Sequence, residues 1–284
     1  MARLQIQELT AEFGAEIVGL EPGAELDEEA QILLRDAFDD RGLLIFRGID
    51  IDREYQTYLV DLLIGYDRAP GDSGQAERFV SNKEPEGLAP YGRLLFHSDM
   101  MWSPQPTQVL SLYGVEVDPP VVPTAFVSTA AAWTALPEEL KARVEGLHAL
   151  HVTGQQRREG VDEDLLVAIR EHEQSVTTLI GWPHPRTGRR MLHVSQMNTR
   201  EIVELPFEES EQVLAALFAH LYDPAHTWEH DWRNGDLVVW DNLAMQHARP
   251  AVRADGPVRT LRKVICPIPS LAGLTEIPRF ARQR

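Results

Sequence analysis

The chain has 284 residues, 43% of them hydrophobic and 25% charged, a balance that belongs to a globular protein able to bury a core around an internal pocket. Its formal net charge of -17 argues against a nucleic-acid partner, because a phosphate backbone would be repelled. With one cysteine, Cys266, neither an intramolecular disulfide nor a thiolate metal cluster can form, and no stretch approaches the ~18–20 apolar residues of a membrane span.

In chain order, Met1 to Gly19 alternates polar and apolar residues and lacks the apolar core of a signal peptide, so a reducing, cytoplasmic setting is expected. Leu26 to Phe38 has a helical pattern with Asp27 as N-cap, and Gly42 to Phe46 reads as a buried strand. Residues 67–95 are rich in Gly, Pro, Asp, Glu and Asn and lack periodicity; a loop of that length is expected to act as a lid. It leads into Phe96-His97-Ser98-Asp99. Val109 to Val117 and Thr124 to Thr129 are strand-like, separated by Pro119-Pro120.

Pro137 to Leu147 and Leu165 to Glu173 have helical patterns, and Phe207 to Tyr222 is amphipathic, with Val213, Leu214, Leu217 and Leu221 on one face. Arg189 to Val194 reads as a strand after the turn at Thr187-Gly188. Gly235-Asp236 turns into the strand Leu237 to Trp240, and Arg262 to Ile268 closes the core, where Cys266 is expected to be buried and inert. With no internal repeat and no linker, residues 1–284 read as one domain. Short strands with turn signals, interrupted by a few helices, predict a mainly β fold: a jelly-roll barrel decorated with helices.

Chemistry concentrates at four residues. On an extended segment, residues two apart point the same way, so His97 and Asp99 can reach one metal while Ser98 faces elsewhere. A third ligand must come from a distant strand, and Gln246-His247 lies 150 residues downstream. Two imidazoles and one carboxylate can hold one face of a non-haem Fe(II) ion and leave three positions open. Arg259, twelve residues past His247, is suited to grip a dicarboxylate in a two-pronged contact. Taken singly, either histidine reads as structural and Arg259 as a solvated surface charge. A zinc hydrolase using the same ligands is conceivable on ligand count, but Arg259 would then be unexplained.

The joint pattern resembles the taurine dioxygenase / TfdA (TauD/TfdA) family of Fe(II)- and 2-oxoglutarate-dependent dioxygenases over nearly the whole chain. Arg41-Gly42-Leu43-Leu44-Ile45-Phe46-Arg47-Gly48 resembles an opening strand, Phe96-His97-Ser98-Asp99 the first metal motif, and Pro183-His184-Pro185 with Thr187-Gly188-Arg189 a mid-chain hairpin. Trp240-Asp241-Asn242 followed by Gln246-His247 resembles the second metal motif, and Arg259 to Lys263 the closing basic strand.

The resemblance implies a double-stranded β-helix of the cupin-like, clavaminate synthase-like kind, with His97, Asp99 and His247 ligating iron. It implies that Thr124 and Arg259 bind 2-oxoglutarate, with O2 as second cosubstrate, and that a C–H bond of a small substrate is hydroxylated with release of succinate and CO2. Desaturation or oxidative rearrangement at the same iron is the alternative, and a catalytically silent jelly-roll binding protein is a third. Lys263, Arg93, Asn82 and Tyr91 are candidate substrate contacts, suited to a carboxylate, sulfonate or sulfate. Trp240, Asp241 and Asn242 are expected to support His247, and a homo-oligomer is typical of the resemblance. The remaining histidines read as structural.

Overall fold

A computed structural model describes residues 4–66, 78–154 and 174–267. Its frame is a pair of β-sheets. The larger has seven strands in the order β1-β2-β3-β14-β6-β16-β4, namely Gln5–Glu8, Ala15–Val18, Leu43–Phe46, Leu237–Asp241, Thr107–Val117, Arg259–Pro267 and Arg78–Ser81. The smaller has the order β13-β7-β15-β5: Trp228–His230, Thr124–Ser128, Met245–Val252 and Gly92–His97. All pairings in both sheets are antiparallel except β2 with β3. Neighbours distant in sequence, such as β3 beside β14, are what a jelly roll requires.

Period-2 alternation explains how the layers stack. Leu43 and Ile45 of β3, Val238 and Trp240 of β14 and Leu261 of β16 cluster with Phe126 of β7 and Met245 of β15, so the two sheets meet across this core. The alternate residues, Leu44, Phe46, Leu237 and Val239, face outward under α1 (Glu28–Arg41) and α2 (Arg53–Ile64). Helix α1 starts at Asp27, whose carboxylate accepts from the Ala30 N–H, and stops at Gly42 with φ 69°, a left-handed cap that glycine adopts without steric cost. Cys266 is buried in that outer layer.

The other face of the smaller sheet carries α3 (Thr129–Ala135), α4 (Glu138–Val144) and α5 (Phe207–Leu221). Val127, neighbour of Phe126 but on the opposite face, packs there with Val213, Leu214, Leu217 and Leu221, the apolar stripe expected of α5. A further three-stranded sheet, β12-β8-β9 (Thr199–Ile202, His148–Val152, Ser175–Leu179), and the hairpin of β10 (Gly181–Pro183) and β11 (Arg190–Leu192) complete this layer.

One expectation needs correction. The segment 67–95 is not a continuous loop, since Phe79 and Val80 let β4 pair with the open edge of β16 and β5 begins at Gly92. Residues 67–77 of that expected lid, and the helix expected at Leu165–Glu173, lie outside the described residues.

Candidate metal and cosubstrate site

The register of the smaller sheet builds the cluster. Strand β15 pairs with β5 so that His247 lies directly opposite His97, and their ring centroids are 4.2 Å apart. Asp99 follows β5 by two residues. One donor atom from each of His97, Asp99 and His247 falls within 4.8 Å of the other two. His97 Nε2 is 3.3 Å and His247 Nε2 3.8 Å from the same oxygen, Asp99 Oδ1.

Each ligand is held from behind. Leu95 O lies 2.7 Å from His97 Nδ1, which therefore carries the proton and leaves the Nε2 lone pair facing Asp99. Trp240 packs edge-on against the His247 ring at 4.9 Å. Asn242 accepts from the Asp99 N–H at 2.8 Å and donates back to the Asp99 carbonyl at 2.9 Å, while also donating to Thr107 O. Asn242 thus fixes Asp99 rather than His247. Asp241 supports neither: it accepts from His184 Nε2 at 3.0 Å and from the N–H groups of Leu243 and Ala244.

Burial, and secondarily the neighbouring His97, lower the His247 pKa well below the usual imidazole value, so the ring stays neutral with its lone pair available. Burial pushes Asp99 the other way, but the charge of Lys263, whose Nζ lies 2.5 Å from Oδ2, is the chief opposing influence, and the carboxyl is held well below its usual range. Imidazole nitrogens converging on one carboxylate oxygen are the donor set of a divalent 2-His-1-carboxylate centre, and the residues present fit it.

Arg259, at the start of β16, is 4% exposed. Its Nε donates to Val122 O at 3.1 Å and its Nη2 to Thr124 Oγ1 at 3.0 Å. Trp232 Nε1 donates to the same hydroxyl oxygen at 3.0 Å. With both lone pairs occupied, the Thr124 hydroxyl proton is left to point at an acceptor such as a carboxylate. Burial, with the charge of Arg249 added, pushes the Arg259 pKa down to about 9. Arg249, itself 5% exposed, is pushed down to about 10 by burial. Among the described residues neither guanidinium has a carboxylate within 4.0 Å.

A cavity of about 520 Å3 opens beside the cluster, lined by His97, Asp99, Leu88, Leu94, Met100, Trp102, Met197, Ile265, Thr153, Asn198, Arg78 and Lys263 among others. Lys263 is brought into it as expected. Arg93 and Tyr91 do not line it. Asn82 is spent on the fold: its amide nitrogen donates to the carbonyls of Arg253 and Pro257, and its oxygen accepts the Arg259 N–H at 3.0 Å.

Arg78 was missed because its relevance depends on register, β4 setting it directly opposite Lys263. Arg249 carried a signal, its two-residue spacing from His247 along a strand. Arg262 turns from the cavity and donates to Gln56 Oε1 and Ile51 O, tying β16 to α2.

Comparison with known proteins identifies the family. The family model described as taurine catabolism dioxygenase TauD, TfdA family matches residues 5–265. The (S)-phenoxypropionate/alpha-ketoglutarate-dioxygenase of Sphingobium herbicidovorans is 30% identical, the match covering 85% of this chain and 88% of that one. A pentalenolactone F synthase of Streptomyces avermitilis is 33% identical over 60% of each chain, so the chain spans less than two thirds of that relative's length. Among solved structures, AAD-2 in complex with Mn(II) and N-oxalylglycine superposes with a TM-score of 0.74 at 24% identity, over 93% of this chain and 97% of that one. The chain belongs to the TauD/TfdA family of dioxygenases.

Proposed function

We propose that the protein is a 2-oxoglutarate-dependent dioxygenase that hydroxylates a C–H bond of a small anionic substrate. The observation that carries this reading is the convergence of His97, Asp99 and His247, the first two lining a cavity, with the buried, carboxylate-free Arg259 bound to Thr124, two residues along β7 from the register partner of His247. His97, Asp99 and His247 would hold Fe(II). When bound, the iron supplies the redox centre at which 2-oxoglutarate and O2 are consumed, giving succinate, CO2 and one oxygen atom inserted into the substrate C–H bond.

The chain's own residues bind, orient and exclude water. Arg259 and the Thr124 hydroxyl take the remote carboxylate of 2-oxoglutarate, a charge-assisted contact strengthened by the dry surroundings. Asn242 and Leu95 O keep the ligand set in one geometry before any substrate arrives. Trp102, Met197, Leu94 and Ile265 give the substrate pocket apolar walls, while Arg78 and Lys263 give it positive charge.

That lining suits an apolar body carrying a carboxylate, sulfonate or sulfate. The substrate named for the Sphingobium relative, phenoxypropionate, is a molecule of this shape. Ferrous iron and a single buried thiol accord with action in the reducing cytoplasm.

The test is succinate formation from 2-oxoglutarate with Fe(II) and ascorbate, across a panel of aryloxy acids, sulfonates and sulfate esters. Iron-dependent succinate that rises with one member of the panel is expected; no turnover of 2-oxoglutarate with any member would contradict the reading. The alternative outcome at the same iron is oxidation without hydroxylation. Product mass separates the two, since hydroxylation adds one oxygen and desaturation removes two hydrogens.

A further inference from the structure

Arg249 and Arg259 are both buried, and among the described residues neither has a carboxylate within ion-pair distance. Two guanidiniums removed from water without a counter-charge repel each other and each bears a desolvation cost. Arg249 Nη2 donates to the backbone carbonyls of Ala89, Tyr91 and Gly92 at 2.6, 3.1 and 3.4 Å. Those oxygens satisfy donors but bring no net charge. Its Nε is buried and meets no acceptor among the described residues. A neutral amide could tie down the same carbonyls, so the positive charge and the idle N–H need a different explanation.

Position supplies one. Arg249 lies two residues along β15 from His247, and the neighbouring pair Ala248 and Ala125 are register partners, which places Arg249 beside the Thr124 end of β7. Thr124 is the residue to which Arg259 donates. Building on the proposed binding of 2-oxoglutarate, we propose that Arg249 is a second binding residue for its remote carboxylate, engaged through the idle Nε–H and completing a two-arginine cradle with Arg259. The bound carboxylate then compensates the paired cations, and the tie to residues 89–92 keeps Arg249 fixed when the anion leaves.

Binding of two keto acids to the Mn(II)-loaded protein tests this without turnover. 2-Oxoglutarate and 2-oxobutyrate share the metal-chelating end, but only the first has a remote carboxylate. By calorimetry, Arg249→Gln is expected to weaken 2-oxoglutarate at least ~10-fold, the scale of one lost charged hydrogen bond. 2-Oxobutyrate should change by less than ~2-fold on the same scale. A purely structural Arg249 would weaken both keto acids alike, and that result, or an unchanged affinity for 2-oxoglutarate, overturns the proposal. If Arg249→Gln does not fold, Arg249→Lys is read in the same way, because it keeps a charge but lacks the Nε–H. Wild-type protein that binds neither keto acid would instead overturn the underlying assignment of the cosubstrate.

Discussion

Two aspartates, the half-buried Asp99 and the buried Asp241, sit among the same kinds of neighbours and end up with opposite meanings. Asp241 meets His184 Nε2 on one oxygen and two backbone N–H groups on the other, with Arg186 Nη2 3.7 Å away. His184 in turn accepts the N–H groups of Arg186 and Thr187 on Nδ1, so both ring nitrogens and both Asp241 oxygens are satisfied. Asp99 meets two imidazole nitrogens, one of which, His97 Nε2, has no proton to donate. A closed hydrogen-bond network stabilises a fold, whereas converging lone pairs around an ionised oxygen await a cation. Residue types alone do not separate the two; the direction of each proton does.

The sharpest break in the comparison is to remove each carboxylate. Loss of an outer support to a metal site typically costs ~10–100-fold in affinity, so Asp99→Ala, which removes a ligand, should lower Fe(II) affinity by more than ~100-fold with little change in melting temperature. Asp241→Ala should do the reverse. It leaves the buried His184 Nε2 and the N–H groups of Leu243 and Ala244 without their acceptor, costing about 3 kcal/mol and roughly 6–12 °C in melting temperature, while the folded protein still binds Fe(II). Melting curves and metal titrations on the two variants check both arms.

Asn242→Ala should fall between them, because it frees the backbone of Asp99 without touching a ligand atom. A loss of ~10-fold in Fe(II) affinity is expected, read by the same titration.

Acidity sharpens the contrast further. Burial raises the Asp241 pKa, but His184, Arg186 and the backbone N–H of Leu243 together lower it below the ordinary carboxylate value. The stability it contributes is therefore present above its unfolded pKa of about 4 and is lost as pH falls through the lower folded value. As pH falls below about 4, wild-type stability should decline more steeply than that of Asp241→Asn, measured by denaturant unfolding. The smallest effect is expected at Arg93, which does not line the cavity: Arg93→Ala should leave kcat/KM within about 2-fold.

Much of this was legible in the sequence because its signals are local. His97 and Asp99 share a face by strand alternation, Asp27 and Gly42 bound a helix by their own conformational preferences, and the stripe on α5 follows helical periodicity. The joining of His247 to them needed either the resemblance or the β5–β15 register. What stayed hidden was decided by pairing between distant strands. Arg78 faces Lys263 only because β4 takes the free edge of β16, and Asn82 turns to the Arg259 backbone instead of the cavity. Arg249 looks like an ordinary surface charge until the sheet buries it.

The most direct measurement is an anaerobic titration with Fe(II) and 2-oxoglutarate, followed by the weak visible charge-transfer band of the chelate. The wild-type and Asp241→Asn proteins should develop the band at one iron per chain, and Asp99→Ala should not. A wild-type protein without the band, or an Asp99→Ala protein that develops it with equal affinity, would contradict the account.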